Sequence, residues 1–385
     1  MSEQPILIIG GGIGGLSTAI ALARKGIPSA VFEKNPAHDP NGAGLALWPN
    51  ATKTLSEFGL LPPLLALGQT LQTAETRTPD GQRLGSVRLQ KLADRFGFPS
   101  LVVLRSDLQK TLLDALPTAQ VHFDKAFLRL EKTPDGMVAA HFADGSSATG
   151  SAVVFADGIR SRARSEWFQS PPLRYAGRAS WRGVATFDRP MLGEANLEIL
   201  GKGKRVGIFP MPGNTAYWYA AVNMAEEEAL QQMRSREGVR QHFEGWADPV
   251  PLLFDSTPPE RLILTNIHHA PGGIGKIALE NMVLLGDAAH PMTPDLGQGA
   301  CQAIEDAAVL AACLGQKPTA EAAFQEYEKL RKGRVKAVAT NSCNMGRLRQ
   351  MGHPLGVALR NALFRWMPEA VALRMLEQNI GGGVK

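Results

Sequence analysis

The sequence predicts an α/β protein with a Rossmann-like nucleotide-binding domain, an inserted antiparallel-sheet domain and C-terminal helices. Three observations support this prediction. A glycine-rich turn follows an apolar strand near the start of the chain, and a second glycine-rich segment lies at 286–299. Between them, residues 172–270 are rich in prolines and aromatic side chains and contain segments of alternating polarity, which is typical of antiparallel sheets.

The first glycine-rich turn has the pattern of a dinucleotide-binding loop. An apolar run at 6–9 is followed by Gly10, Gly12 and Gly15 in the spacing G-x-G-x-x-G, and then by a helix of apolar periodicity. Glycines at these positions permit a tight turn, a close backbone approach to a diphosphate and close helix–strand packing. The next strand ends at Glu33, which is placed to accept hydrogen bonds from an adenosine ribose.

The second glycine-rich segment predicts a longer ligand than a dinucleotide loop alone would. It begins with Gly286-Asp287-Ala288-Ala289-His290-Pro291 and continues with Thr293-Pro294-Asp295-Leu296-Gly297-Gln298-Gly299-Ala300-Cys301. One loop for a diphosphate and another for a flavin end predict FAD as the cofactor.

Composition bounds the remaining possibilities. The 385 residues carry a net charge of +5, and the basic cluster at 329–334 reads as a solvated helix face, so no nucleic-acid partner is predicted. Three cysteines in no motif favour a reducing, cytoplasmic compartment over a disulfide framework. No signal peptide is expected before the first strand, and no apolar run has the length of a membrane span. No metal site is expected at His268-His269, because this pair lacks partner ligands.

The positions of the motifs predict a discontinuous domain arrangement. The FAD-binding domain is expected to comprise 1–70, 100–171 and 271–344, the substrate domain 71–99 and 172–270, and a C-terminal helical segment 345–385. Ser106 is a predicted helix N-cap. The turn Asp144-Gly145 is predicted to join strands at 137–142 and 151–155, and one helix is expected near 225–245.

Two further local patterns bear on the substrate domain and the C-terminus. Strands at 205–209 and 217–222 are predicted to form a hairpin through the turn Pro212-Gly213-Asn214. The C-terminal segment is predicted to form amphipathic helices, from apolar residues at helical spacing: Leu348, Met351, Leu355, Leu359, Leu363 and Trp366. These helices are expected to pack on the body of the protein, and a role at a membrane surface is the alternative.

The chain resembles the FAD-dependent aromatic hydroxylases, which are single-component flavoprotein monooxygenases. Three ordered motifs over almost the whole chain carry the resemblance: the first loop with Glu33, Ala156-Asp157-Gly158 with Ser161 and Arg164, and Gly286-Asp287 with Pro291 and Gly297-Gln298-Gly299. It implies an enzyme whose FAD takes hydride from NADH or NADPH and reacts with O2. The resulting flavin C4a-hydroperoxide would hydroxylate a small aromatic or purine-like ring.

The resemblance also assigns cofactor contacts. It implies that Asp287 hydrogen-bonds the ribityl chain, that Arg105 reaches the ribityl or diphosphate region, and that Asp157 closes the loop where FAD and reductant meet. The peptides at 296–300 would lie along the pyrimidine side of the flavin, where a helix beginning near Gln298 directs its positive end and stabilises a reduced flavin anion. The implied cofactor-binding residues are Gly10, Gly12, Gly14, Gly15, Glu33, Lys34, Arg105, Asp157, Asp287, Gly297, Gln298, Gly299 and Ala300.

Three segments indicate a branch within the family: Gly203-Lys204-Arg205-Val206 with Tyr217, Phe243-Glu244-Gly245-Trp246, and Thr293-Pro294-Asp295 with Gly297-Gln298-Gly299 and Cys301. On these the chain is most similar to the branch that includes bacterial FAD-dependent urate hydroxylases and uncharacterised plant relatives. In that pattern Arg205 pairs with an anionic or carbonyl-rich ring, Tyr217 hydrogen-bonds it, and Asp295 holds a ring N–H near the flavin. Many family members have Asn where Asp295 stands. The alternatives are that Asp295 only caps the helix beginning near Gly297, that Arg205 is a sheet-face arginine and that Tyr217 is a core aromatic.

Two other functions remain open from the sequence. One is a flavin-dependent reductase or dehydrogenase on the same fold, and the other is a non-catalytic protein that binds FAD or an aromatic ligand. Hydroxylated product coupled to oxygen consumption would distinguish a monooxygenase from the first, and bleaching of the flavin by a nicotinamide would distinguish it from the second. A monomer or a homodimer is expected.

Overall fold

The computed structural model describes residues 4–37, 42–168, 170–189, 193–270 and 275–381. Residues 1–3, on which the expectation of no leader partly rests, lie outside them. The α-helices are α1 (Ile13–Ala23), α2 (Pro49–Glu57), α3 (Leu61–Leu67), α4 (Gln90–Phe96), α5 (Arg105–Asp114), α6 (Arg162–Glu166), α7 (Glu226–Gln231), α8 (Arg236–Arg240), α9 (Val250–Asp255), α10 (Gly299–Gln316), α11 (Ala320–Arg349), α12 (Pro354–Trp366) and α13 (Glu369–Ile380).

The strands divide among four sheets. They are β1 (Ile6–Ile9), β2 (Ser29–Phe32), β3 (Gly44–Leu47), β4 (Gln69–Thr70), β5 (Thr73–Arg77), β6 (Arg83–Arg88), β7 (Leu101–Leu104), β8 (Val121–His122), β9 (Phe127–Lys132), β10 (Val138–Phe142), β11 (Ser147–Gly150), β12 (Ala152–Phe155), β13 (Arg174–Thr186), β14 (Asn196–Leu200), β15 (Lys204–Met211), β16 (Thr215–Asn223), β17 (Ile263–His269), β18 (Ala278–Leu279) and β19 (Met282–Leu284).

The predicted Rossmann-like unit is confirmed. Six strands form a sheet in the order β18-β19-β12-β1-β2-β8, and all its pairings are parallel except that of β18 with β19. Strand β1 is buried on both faces, as its continuous apolar sequence requires. Helices α1 and α10 pack together over this sheet. Gly14 lies at this packing contact, because a Cβ atom there would lie 2.9 Å from Leu285 Cδ2 and 3.5 Å from Ala303 Cβ of α10.

A second, seven-stranded sheet runs β17-β13-β16-β15-β14-β5-β6 and is antiparallel except where β14 meets β5. One face packs on α7, α8 and α9 through a separate core that includes Trp181, Val206, Ile208 and Trp218. Because side chains alternate across a strand, the residues between these core positions project from the opposite face. That opposite face carries Arg205, whose strand neighbour Val206 belongs to the core.

Several local expectations are wrong. Helix α5 begins at Arg105 after Leu104, so Ser106 lies inside the helix and is not its N-cap. The turn at Asp144-Gly145 joins β10 to β11, not to β12, because β11 intervenes. The single helix expected near 225–245 is two short helices, since Ser235 begins a new helix by accepting a hydrogen bond from the Gly238 amide at 3.0 Å.

Two further expectations are corrected by burial. The basic cluster at 329–334 is not a wholly solvated face, because Arg331 is buried and forms salt bridges with Glu305 and Asp306. The C-terminal helices are amphipathic, but α12 leaves Leu355, Leu359, Leu363 and Trp366 exposed, so the expectation that these residues pack on the body is wrong. In the ranges that the structure describes, no helix combines the length and apolar character needed to cross a bilayer.

Candidate cofactor and substrate site

The loop between β1 and α1 is shaped for close backbone approach. Gly10 has φ 110°, a conformation that favours glycine, and a Cβ atom at Gly15 would overlap the Gly10 carbonyl. Gly12 is the N-cap of α1, and no side chain caps this helix end. A Cβ atom at Gly12 would have no atom within 4 Å, so the space beside it is open. The first amide groups of α1 therefore face open space with the positive end of the helix dipole, as a diphosphate site requires.

Glu33 ties the end of β2 to this loop. One carboxylate oxygen accepts a hydrogen bond from the Gly11 amide at 2.6 Å, and the other accepts from the Asn35 amide at 3.0 Å. Each carboxylate oxygen has more than one lone pair, so Glu33 retains acceptor capacity for a ribose hydroxyl. The adjacent Lys34 is exposed.

Helix α5 approaches the same loop from a different direction. The Gln109 side chain donates to the Gly11 carbonyl at 2.9 Å. Arg105 lies one turn earlier on α5 and is exposed, and residues four apart share a helix face. The structure thus places the Arg105 cation on the helix face that contacts the glycine loop.

Arg164 connects two of the sequence motifs. Its guanidinium donates to the carbonyl of Asp287 at 3.1 Å and to that of Ile159 at 2.5 Å. This leaves the Asp287 side chain exposed. Asp157 accepts a hydrogen bond from the Arg162 amide at 3.1 Å, and its Oδ1 is buried without a partner in the described part of the chain. Burial raises the pKa of Asp157.

The loop before α10 presents backbone groups to the same cleft. Gly297 has φ 63° and ends a 3-10 turn at 294–296, and α10 follows with Gln298 as an N-cap that makes no side-chain cap. A Cβ atom at Gly297 would lie 3.2 Å from the Trp48 indole nitrogen, which is itself buried and unpartnered among the described residues. Gly299 and Ala300 begin the helix beside Asp287, because a Cβ at Gly299 would lie 3.8 Å from Asp287 Oδ1.

A buried polar network supports this loop from below. Asp306 on α10 accepts hydrogen bonds from the Gly286 amide at 3.0 Å and from Arg331 Nε at 2.6 Å, and His290 Nε2 lies 2.6 Å from it. Burial would raise the pKa of Asp306, but Arg331 and His290 outweigh burial and lower it to about 2. The carboxylate is therefore ionised at neutral pH and fixes the turn that carries Asp287.

The polar face of the second sheet carries Arg205. Its Nη1 donates to Glu198 Oε1 at 3.1 Å, and its guanidinium lies 5.3 Å from the centre of the Tyr219 ring. The Tyr219 hydroxyl donates to Glu198 Oε2 at 2.5 Å. The Tyr219 ring lies against Gly207, where any side chain would collide with it.

Asp295 joins this face to the flavin-side loop. Its carboxylate accepts hydrogen bonds from Arg205 Nη2 at 2.5 Å and from Arg178 Nη2, and its side chain is fully buried. Burial favours the neutral acid, but Arg205 and Arg178 outweigh burial and hold the pKa of Asp295 below its ordinary value. Asp295 thus makes two charged hydrogen bonds across the sheet instead of capping α10.

Helix α11 closes the site behind Asp295. Arg349 donates to the Asp295 carbonyl at 3.1 Å, and the Ser342 hydroxyl donates to the Thr293 carbonyl at 2.6 Å. A side chain at Gly346 would collide with the Asp295 carboxylate. The 3-10 turn that holds Asp295 is therefore fixed on α11.

Tyr217 lies on the same face as Arg205 but further along it. It pairs with Phe209, and their rings are stacked with centroids 5.5 Å apart. Phe209 is four residues from Arg205, which is about 13 Å along a strand. The Tyr217 ring packs on Gly44, so it joins the seven-stranded sheet to β3 and lies at one end of the polar face.

Sequence reasoning missed Arg178, Glu198 and Tyr219. The sequence did contain a signal for Tyr219. If the two strands of the predicted hairpin are paired outward from its turn, Tyr219 stands opposite Gly207, which is two residues from Arg205. Arg178 is 117 residues from Asp295, and no local pattern joins them.

The remaining candidates have structural roles. Cys301 is buried, and burial raises the pKa of its thiol to about 12, so it is not an activated nucleophile. His268 contacts Glu226 at 2.9 Å. Among the residues whose placement is described, no group of histidine, cysteine and acidic side chains could hold a metal ion.

Comparisons with known proteins agree with this geometry. A family model described as an FAD binding domain matches residues 3–342. The chain is 34% identical over 362 residues to the aurachin C monooxygenase/isomerase of Stigmatella aurantiaca, covering 94% of each chain. It is 35% identical over 334 residues to an FAD-dependent urate hydroxylase of Klebsiella pneumoniae, covering 86% of each.

A solved structure shows the same architecture. The crystal structure of Klebsiella pneumoniae HpxO complexed with FAD and uric acid superposes with a TM-score of 0.91 at 29% identity, covering 99% of this chain and 98% of that one. Family model, relatives and fold agree over nearly the whole length. The chain therefore belongs to the FAD-dependent aromatic hydroxylases, near the urate hydroxylases, and is an FAD-dependent monooxygenase.

Proposed function

We propose that the protein uses NADH or NADPH and O2 to hydroxylate a small planar ring that carries carbonyl groups or negative charge. One observation carries the proposal: Arg205 Nε is buried beside Asp295 and has no hydrogen-bond partner among the described residues. A buried charged donor left without a partner is costly, and a ring oxygen would satisfy it.

The residues around the cleft fit FAD. The open amide groups of α1 and the Arg105 cation suit a diphosphate, Glu33 suits a ribose, and Asp287 with the start of α10 suits the ribityl chain and flavin. When bound, FAD supplies acceptance of electrons from the nicotinamide and activation of O2. We propose that the 13 cofactor-binding residues named in the sequence analysis form the FAD site. We also propose that the domain boundaries given in the sequence analysis are those of the folded protein.

The protein's own side chains would position the ring and stabilise its negative charge. Arg205 donates to a ring oxygen, Tyr217 hydrogen-bonds the far edge, and Glu198 and Tyr219 hold the Arg205 guanidinium in place. Asp295 is ionised and can accept a ring N–H while Arg178 balances its charge. A substrate that arrives as an anion needs no separate base, which suits a face whose donors are mainly arginines.

Urate is one candidate substrate, because the relatives include urate hydroxylases and a uric acid complex. The aurachin C monooxygenase/isomerase and a 3-amino-4-hydroxybenzoate 2-monooxygenase of Streptomyces cremeus, 34% identical over 343 residues, extend the range to other rings. A cytoplasmic location remains part of the proposal, and the described cysteines are all free thiols.

The test is a panel of purines, aminohydroxybenzoates and aurachin C, added to the FAD-loaded protein with NADH or NADPH. Nicotinamide oxidation, oxygen uptake and the product's mass are measured together. We expect one ring class to stimulate oxidation and to gain one oxygen atom. Oxidation that is stimulated by no ring, or that gives no oxygenated product, would contradict the proposal.

A further inference from the structure

Helix α12 exposes a continuous apolar stripe. Leu355, Leu359 and Trp366 are 75%, 71% and 81% exposed, and Leu363 is 47% exposed. At 3.6 residues per turn these four side chains fall within about 80° of arc, so they form one ridge. We call these four residues the α12 ridge.

A buried arginine fixes the ridge outward. Arg360, about 100° around α12 from the middle of the ridge, donates to the carbonyls of Leu200 at 3.2 Å, Gly201 at 3.0 Å and Arg349 at 2.9 Å. The Phe364 carbonyl lies close against Gly85 of β6. Because α12 is held on this side by β14, β6 and the end of α11, it cannot rotate to bury the ridge without breaking these bonds.

The chain segment that contains the ridge carries no negative charge of its own. No aspartate or glutamate occurs between Glu328 and Glu369. Glu369, which begins α13, is neutralised by Arg88 and Lys91. Arg365 on α12 is exposed and contacts the neutral Gln82 at 2.7 Å.

A second exposed cation lies at the other end of α12. Lys202 is exposed and precedes Gly203, whose amide donates to the Met351 carbonyl at 2.9 Å just before the helix begins. The ridge therefore has a cation near each end, and its terminal Trp366 is a residue type that favours the boundary between water and lipid.

We propose that the α12 ridge lies on the surface of an anionic phospholipid bilayer, with Lys202 and Arg365 at the headgroups. An exposed apolar face with a cation near each end has the features of an interfacial helix. A second copy of the chain fits less well, because a two-fold interface would bring the same cations together. Leu200, which holds α12 through Arg360, pairs with Arg205, so the membrane contact would lie next to the strand of the substrate site.

The test is co-sedimentation of the FAD-loaded full chain with vesicles of phosphatidylcholine alone or mixed with phosphatidylglycerol. We expect binding to the anionic vesicles, which weakens as salt is raised. Leu359→Ser with Trp366→Ser should lower the partition coefficient by about tenfold or more. Lys202→Gln with Arg365→Gln should lower it by roughly tenfold on anionic vesicles at low salt.

The matched control is Leu230→Ser on α7, which removes an equally exposed leucine, at 74%, from a helix that begins with three glutamates. It should leave vesicle binding unchanged. Light scattering and flavin content are measured on every variant. The proposal is overturned if the unaltered protein does not bind anionic vesicles, or if the Leu359→Ser, Trp366→Ser variant binds them as strongly as the unaltered protein. It is also overturned if the unaltered protein is a dimer that these two substitutions dissociate.

Discussion

Asp295 is a buried carboxylate whose two oxygens face two guanidiniums, from Arg178 and Arg205. These three groups carry a net charge of +1, which the Glu198 carboxylate beside Arg205 balances. Removing one of the charged partners would leave a buried charge unpaired, which costs several kcal/mol. Glu198 and Tyr219 extend this arrangement on the other side of Arg205. The substrate face is therefore a set of mutually fixed charges in which a single side chain sets the orientation of its neighbours.

We predict that Asp295→Asn lowers kcat/KM for the best ring of the panel by about tenfold to hundredfold, since a charged hydrogen-bond partner is worth about 1.5–3 kcal/mol. FAD content should not change, because Asp295 lies on the substrate side of the loop. Steady-state assays and flavin release check this. Full coupled hydroxylation by Asp295→Asn would show that the carboxylate is structural.

At the scale of elements, Glu33 joins β2 to the loop before α1. We predict that Glu33→Ala raises the dissociation constant for FAD by about tenfold or more, because it removes the proposed ribose acceptor and the partner of the Gly11 amide. Titration of the apoprotein with FAD measures this. The matched control Glu57→Ala, which removes an exposed carboxylate on α2 outside the proposed cofactor site, should leave the constant unchanged. Equal effects of both variants would remove Glu33 from the ribose role.

Asp306 joins α10, α11 and the Gly286 turn. Its pKa of about 2 in the folded protein lies below its ordinary 3.8, so it stabilises the fold fully above about pH 4 and loses this effect as pH falls toward 2. We predict that Asp306→Asn lowers the free energy of unfolding by about 3 kcal/mol at pH 7 and by less at pH 3.

Urea unfolding at the two pH values measures this difference. The control is Asp114→Asn, whose exposed pair with Lys110 should contribute less than about 1 kcal/mol at either pH. If Asp306→Asn lowers the free energy of unfolding more at pH 3 than at pH 7, the pKa of Asp306 is not lowered in the folded protein.

The parts of the fold that the sequence predicted are those governed by local rules. Gly10, Gly12 and Gly15 determine a turn within six residues, so the Rossmann-like unit could be placed. Arg178 and Arg205 come to the same side of Asp295 because β13, β16 and β15 pair in one register, and such pairing is set by packing over long separations. The buried role of Arg331 was hidden for the same reason, since its partners lie on another helix.

For the whole molecule, we predict a yellow protein with about one non-covalent FAD per chain. The nucleophiles nearest the flavin loop are unsuited to attachment, because Cys301 is a buried thiol with a raised pKa and His290 is paired with Asp306. Acid precipitation followed by chromatography of the supernatant checks this. FMN in the supernatant, or flavin that stays with the precipitate, would contradict it.

Helix α11 contacts both the proposed cofactor site and the proposed substrate site. Arg331 supports the turn that carries Asp287, and Gly346 lies against Asp295, about 22 Å further along the helix at 1.5 Å per residue. One continuous helix therefore sets the spacing between the proposed cofactor site and the proposed substrate site. A single residue inserted into α11 would turn one end by about 100° relative to the other. The length of this helix is therefore constrained by both sites at once.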